Sequence, residues 1–65
     1  MTLEDAVKNS GKTVTHLCRR MGKSRPYVYK KIKNPEECTA SEIKFFCEEL
    51  RLTTSERDNI FLLSE

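Results

Sequence analysis

Five hydroxyl-bearing residues, each just before a run of helical apolar spacing, divide this chain into five short segments. They are Thr2, Thr13, Ser24, Thr39, and either Thr53 or Thr54. A Ser or Thr in this position accepts a hydrogen bond from a free N–H group of the first helical turn, which favours helix initiation. Asp5 and Glu42 follow Thr2 and Thr39 by three residues, the spacing of a capping box. No segment alternates apolar and polar residues as a strand does. The sequence therefore predicts an all-α protein of five helices.

The apolar residues of each segment fall on one helical face and define the candidate core. In chain order they are Leu3, Ala6 and Val7; Leu17, Cys18 and Met21; Val28 and Ile32; Ile43, Phe46, Cys47 and Leu50; and the run Ile60–Leu63. Gly11 and Gly22 follow the first two segments, where a helix end favours positive φ. Asn34 and Pro35 interrupt the third, and Leu52 and Thr53 are expected to end the fourth. With 65 residues, the chain is expected to form one domain, residues 1–65, too small for a deep catalytic pocket. We expect no enzyme activity.

Basic and acidic residues are strongly segregated along the chain. Eight of the twelve Lys and Arg residues lie between Lys12 and Lys33, a stretch without Asp or Glu, and all ten acidic residues lie outside it. The formal net charge of +2 conceals this polarity. Such a stretch can simply be a solvated surface, but its size favours an anionic partner.

The cysteines and the hydropathy limit the remaining classes. Three cysteines, an odd number at wide spacing, argue against a disulfide framework and predict a reducing, cytoplasmic setting. No apolar run reaches the ~20 residues of a membrane span, and no secretory-signal pattern is present. His16 with the cysteines fits no zinc-finger spacing, so we expect neither metal nor cofactor. Cys18 and Cys47 lie on apolar stripes and should react slowly with thiol reagents, whereas Cys38, beside Glu36 and Glu37, should react quickly.

The residues around Gly22 resemble a known DNA-binding motif. Thr13 at a helix start, Leu17 and the small Cys18, the Met21-Gly22 turn, and then Val28 and Ile32 resemble the helix-turn-helix of Cro and cI-type phage repressors, the XRE-like family. The resemblance implies a small five-helix lambda-repressor-like domain, with the motif at its second and third helices and the helix near 24–33 in the major groove. Three positions depart from the family pattern. Lys23 and Lys31 stand where apolar residues are common, and Val14 stands where a phosphate-binding Gln is common.

Helical spacing assigns candidate DNA contacts within this stretch. If Val28 points inward, Pro26, Lys30 and Lys33 point outward. Arg25, near the start of the helix, has a planar fork that matches guanine O6 and N7. The candidates for base edges are Arg25, Pro26, Tyr27 and Lys30. The candidates for phosphate contacts are Thr13, Thr15, Arg19, Arg20, Lys23, Ser24, Tyr29, Lys31 and Lys33.

These observations predict a sequence-specific regulator of transcription, Cro-like or repressor-like and of phage or mobile-element origin, that binds double-stranded DNA. We expect a weak homodimer on a palindromic operator, held by Phe45, Phe61 and Leu62, although the same apolar run could instead close the core against the first helix. We expect no small-molecule substrate and no membrane association. The competing interpretation is a helical protein-interaction module, an antitoxin or adaptor, whose basic helix binds an acidic partner.

Overall fold

The computed structural model describes residues 1–62. The α-helices are α1 Leu3–Ser10, α2 Val14–Met21, α3 Arg25–Lys33, α4 Ala40–Leu50 and α5 Thr54–Phe61. A 3-10 turn at Pro35–Glu37 joins α3 to α4, and the described part of the chain contains no strand. The prediction of an all-α protein with five helices is therefore confirmed. None of these helices has the length and hydrophobicity needed to cross a bilayer.

The helix starts follow the predicted capping residues. Thr2, Thr13, Thr39 and Thr53 each accept a hydrogen bond from the backbone N–H group three residues later. The two expected capping boxes are present, and a third joins Thr53 to Glu56. Ser24 occupies the N-cap position of α3, but its side chain makes no capping hydrogen bond. Its hydroxyl is therefore free for another partner.

The helix ends follow the sequence less closely. Gly11 and Gly22 adopt left-handed conformations, with φ of 76° and 71°, as predicted. Helix α4 ends at Leu50 rather than at Leu52 or Thr53, and Arg51 takes the left-handed position with φ of 53°. A non-glycine residue in this conformation is uncommon because its Cβ crowds the backbone. The residue types in this segment do not indicate that α4 ends at Leu50.

The core takes residues from all five helices. Its buried members are Leu3, Ala6, Val7, Leu17, Val28, Ile32, Phe46, Leu50, Ile60 and Phe61. Helix α3 contributes only Val28 and Ile32, a burial worth about 1.5–3 kcal/mol for each side chain. These two residues, one turn apart, hold one side of α3 inward and leave the other side to solvent.

The apolar run near the end of α5 divides between core and surface. Phe61 is 5% exposed and belongs to the core, whereas Leu62 is 79% exposed. Leu63 lies outside the described residues. The assignment of Phe61 to a dimer surface is therefore wrong, because the helix turns this side chain inward. Phe45 is half-buried, edge-on to Phe46, and it lines a different groove from Leu62.

Candidate nucleic-acid interface

The outward face of α3 is basic and contains no acidic residue. Arg25, Pro26, Tyr29, Lys30 and Lys33 are all exposed. Nine helical residues span about 13–14 Å. The outward face of α3 therefore consists of positive and aromatic side chains. It lies opposite the apolar pair, Val28 and Ile32, that packs into the core.

A three-residue connection sets the start of α3 against α2. The left-handed Gly22 ends α2, and the N–H groups of Gly22 and Lys23 both donate to the carbonyl of Cys18. Ser24 is extended, so the chain enters α3 at once. Across this turn, Arg25 Nη2 donates to Thr15 Oγ1 at 2.5 Å. The structure thus brings together two predicted contact residues, and the hydroxyl of Thr15 holds the guanidinium of Arg25 beside α2.

Half of the basic residues in this stretch are paired with acidic residues from later in the chain. Four of its eight Lys and Arg residues have a carboxylate within 4.0 Å. The pairs are Lys12 and Arg20 with Glu49, Lys30 with Glu37, and Lys31 with Glu42. Within residues 1–62, the other four have no such partner. They are Arg19, Lys23, Arg25 and Lys33.

Glu49 of α4 interacts with side chains along one side of α2. Its carboxylate accepts a hydrogen bond from Arg20 Nε at 2.8 Å and lies 3.5 Å from His16 Nε2 and 3.7 Å from Lys12 Nζ. The hydrogen bond from Arg20 and the charges of Arg20 and Lys12 lower the pKa of Glu49 below its ordinary value. Arg20 is therefore directed toward α4, which lessens its availability to phosphates. The pair Glu48-Glu49 suggests two solvated acids, but the side chain of Glu49 is only 11% exposed.

Two of the predicted contacts, Tyr27 and Lys31, are engaged by α4. The hydroxyl of Tyr27 donates to the carboxylate of Glu42. Lys31 Nζ lies 3.4 Å from the same carboxylate and donates to the carbonyl of Glu37 at 2.8 Å. The side chain of Lys31 is only 13% exposed. The assignments of Tyr27 to base edges and of Lys31 to phosphates are therefore corrected, because both residues have partners within the protein.

Two lysine ammonium groups also lie close to the ring of Tyr27. Lys23 Nζ and Lys31 Nζ lie 5.2 and 5.3 Å from its centroid, within the range of cation–π attraction. Lys23 thus packs over the ring with its ammonium group still exposed. One hint of this arrangement is present in the sequence, since Tyr27 and Lys31 are one turn apart and so share a face of α3.

Ten predicted residues remain available at this surface. Arg25, Pro26, Tyr29, Lys30 and Lys33 lie on α3, Lys23 and Ser24 on the preceding turn, Thr15 and Arg19 on α2, and Thr13 just before α2. Lys30 keeps its place because its ion pair with Glu37 is long, at 3.7 Å, and its side chain is 66% exposed. Thr13 accepts from the N–H group of His16 and Thr15 accepts from Arg25, and both hydroxyls retain their own O–H donors.

The described residues were also compared with the requirements of a metal site and with known proteins. No group of three or more His, Cys, Asp or Glu side chains in residues 1–62 is placed to hold a metal ion. Comparison of the chain with protein-family models, with curated proteins and with solved structures gave no match. The resemblance to Cro and cI-type repressors therefore stays a prediction from the residues themselves.

Proposed function

We propose that this protein is a sequence-specific DNA-binding regulator, Cro-like or repressor-like, which acts in the cytoplasm by occupying an operator. The observation that carries the proposal is the outward face of α3, which exposes Arg25, Lys30 and Lys33 with no acidic residue among them. Helices α2 and α3, joined through Gly22, serve as the helix-turn-helix. No cofactor takes part.

We assign base reading to Arg25 and Pro26 at the start of α3 and to Lys30, one turn further along the helix. A B-DNA major groove about 12 Å wide admits one α-helix, and the N-terminal residues of that helix meet the base edges. Arg25 has five N–H donors, of which one is used by Thr15. The others can address guanine O6 and N7. Lys30 is the second candidate reader, and Pro26 can contact a thymine methyl group.

We assign phosphate binding to the unpaired cations, the basic side chains without a carboxylate partner within residues 1–62. Arg19, Lys23 and Lys33 spread from α2 across the turn to the end of α3, and the hydroxyls of Thr13 and Ser24 add neutral donors. Each neutralised phosphate changes the slope of log K against log salt by about −0.9. Three such contacts in each protomer give a slope of roughly −3. Lys12 and Arg20 add less, because Glu49 already offsets their charge.

The test is selection of binding sites from a random duplex pool, followed by salt titration of the selected sequence. We expect a two-fold symmetric consensus and an affinity that falls steeply with salt. Lys33→Ala should weaken binding to all sequences about equally and flatten the salt slope by about one unit. Lys44→Ala is the matched control, because Lys44 is an exposed lysine of α4 outside the proposed surface.

Two results would count against this assignment. A chain that enriches no sequence and binds random duplex with a flat salt slope would instead be a protein-interaction module. An equal effect of Lys33→Ala and Lys44→Ala on the slope would mean that the basic face of α3 has no special part in binding.

A further inference from the structure

Glu42 is the only buried charged residue among residues 1–62, with 8% of its surface exposed. Burying a carboxylate is costly unless hydrogen bonds and opposite charges satisfy it. Here its Oε1 atom accepts from the Thr39 N–H group at 2.8 Å and lies 3.4 Å from Lys31 Nζ, while Oε2 accepts from the hydroxyl of Tyr27. Both oxygens therefore have partners. Oε2 is bound by Tyr27 of α3, and Oε1 lies between Lys31 of α3 and the backbone of Thr39, the residue that caps α4.

The two donors from α3 lie one helical turn apart. Tyr27 and Lys31 occupy positions i and i+4 and stand beside the apolar pair Val28 and Ile32. Apolar contacts are non-directional and tolerate small rotations of a helix about its own axis. Hydrogen bonds weaken steeply when misaligned. The contacts of Glu42 therefore restrict the rotation of α3 more sharply than the core stripe alone.

We propose that Glu42 is a positioning residue for DNA recognition. By holding Tyr27 and Lys31, it fixes the rotation of α3 and so determines which side chains reach the base edges. The inference rests on the proposed DNA-binding function. It adds that sequence preference depends on a residue of α4 that need not touch the DNA, whereas affinity for duplex of any sequence depends on the unpaired cations.

Glu56 shows that capping alone does not explain the contacts of Glu42. Both residues occupy the third position of a helix and accept a hydrogen bond from the N–H group of a capping threonine, at 2.8 Å for Glu42 and 2.9 Å for Glu56. Glu56 makes no hydrogen bond or ion pair to α3 within the described residues. Glu56→Gln therefore changes a capping box without touching the contacts to α3.

The link to Tyr27 can be measured in the free protein. The hydrogen bond to Glu42, together with burial, raises the pKa of Tyr27 above its ordinary value. The chain has two tyrosines and no tryptophan, so absorbance during alkaline titration reports only Tyr27 and Tyr29. Glu42→Gln removes the charge and should bring the titration of one tyrosine to lower pH. Glu56→Gln should not change it.

The deciding measurement is a specificity ratio, the affinity for the selected consensus divided by that for random duplex. We expect Tyr27→Phe and Glu42→Gln to lower this ratio about tenfold, because a rotated α3 loses part of the discrimination that a base contact gives. Tyr27→Phe leaves the net charge unchanged, so its affinity for random duplex and its salt slope should match the parent. Glu56→Gln should retain the parental ratio.

Each result has a distinct meaning. A parent that enriches no consensus contradicts the proposed function, and the inference falls with it. A parent that enriches a consensus while Tyr27→Phe and Glu42→Gln keep its ratio overturns the inference alone. If Glu42→Gln and Glu56→Gln lower the specificity ratio equally and Tyr27→Phe does not lower it, Glu42 acts only as a capping residue. That result also overturns the inference. If circular dichroism shows Glu42→Gln to be unfolded, Tyr27→Phe decides.

Discussion

At the scale of single residues, Arg25 is the side chain with the most specific expected effect. It stands at the start of α3, hydrogen-bonded to Thr15 and without an ion pair among residues 1–62. Arg25→Ala should lower affinity for the selected site by about 1–3 kcal/mol and relax the preference at one base pair, the usual size of a bidentate guanine contact. Repeating the site selection with the variant measures both quantities. An unchanged consensus bound with unchanged affinity would mean that Arg25 does not read a base.

Cys38 shows how the fold reverses a local expectation. Its place in a polar loop, off the apolar stripes, predicts an accessible and reactive thiol, yet burial, with a smaller effect from the charge of Glu42, raises its pKa to about 11. Because only the thiolate reacts, about one part in a thousand is reactive at pH 8. We expect slow labelling at pH 8 that accelerates about tenfold per pH unit toward pH 11, measured by mass spectrometry. A rate at pH 8 equal to that in urea would contradict this.

At the scale of the helices, the end of α4 is held in an unfavourable backbone conformation. Arg51 is exposed, with φ of 53° and ψ of 49°, and its N–H group donates to the carbonyl of Cys47. Glycine adopts this conformation without the Cβ penalty of roughly 1–2 kcal/mol, although it loses about 0.5–1 kcal/mol in unfolded-chain entropy. Arg51→Gly should therefore stabilise the protein by about 0.5 kcal/mol, as urea unfolding would show.

The turn between α2 and α3 provides the opposite substitution as a control. Gly22 has φ of 71°, and a Cβ there would meet nothing within 4 Å. Gly22→Ala therefore tests backbone strain without steric overlap and should destabilise by about 1 kcal/mol. If both substitutions change stability in the same direction, left-handed strain is not the controlling factor at these two helix ends.

For the protein as a whole, the proposed function predicts that two copies bind one operator. A single helix-turn-helix reads few base pairs, and dimers place two copies about one DNA turn apart. With Phe61 in the core, Leu62 is the exposed apolar residue that follows α5 within residues 1–62. Leu62→Glu should reduce cooperative binding to a symmetric site and leave helical content intact. Sedimentation with and without operator DNA, combined with circular dichroism, measures both.

The neighbouring residue separates association from folding. Phe61→Ala removes a core side chain and should cost about 3–5 kcal/mol of stability, enough to unfold much of a domain this small. Leu62→Glu should show no such loss. One protomer per site at saturation, or unfolding of Leu62→Glu, would remove Leu62 from the association surface.

The sequence by itself predicts the five helices and the residues at which they begin. Capping threonines, the two glycines and the i, i+4 stripes are local signals that act within one or two turns, so the helix starts and the inward side of α3 could be predicted from them. The resulting outward face, with Arg25, Lys30 and Lys33, followed from the same periodicity.

Which residues of the basic stretch are paired depends instead on contacts between helices that are distant in the chain. Tyr27 meets Glu42 across 15 residues of chain, and Arg20 meets Glu49 across 29. Such pairs depend on how α4 packs against α2 and α3, and helical periodicity carries no information about that packing. The burial of Phe61 has the same origin. The segregation of charge in the sequence is therefore real, but it overstates how many basic side chains are unpaired. Half of the basic residues in the stretch meet a carboxylate only when the helices pack together.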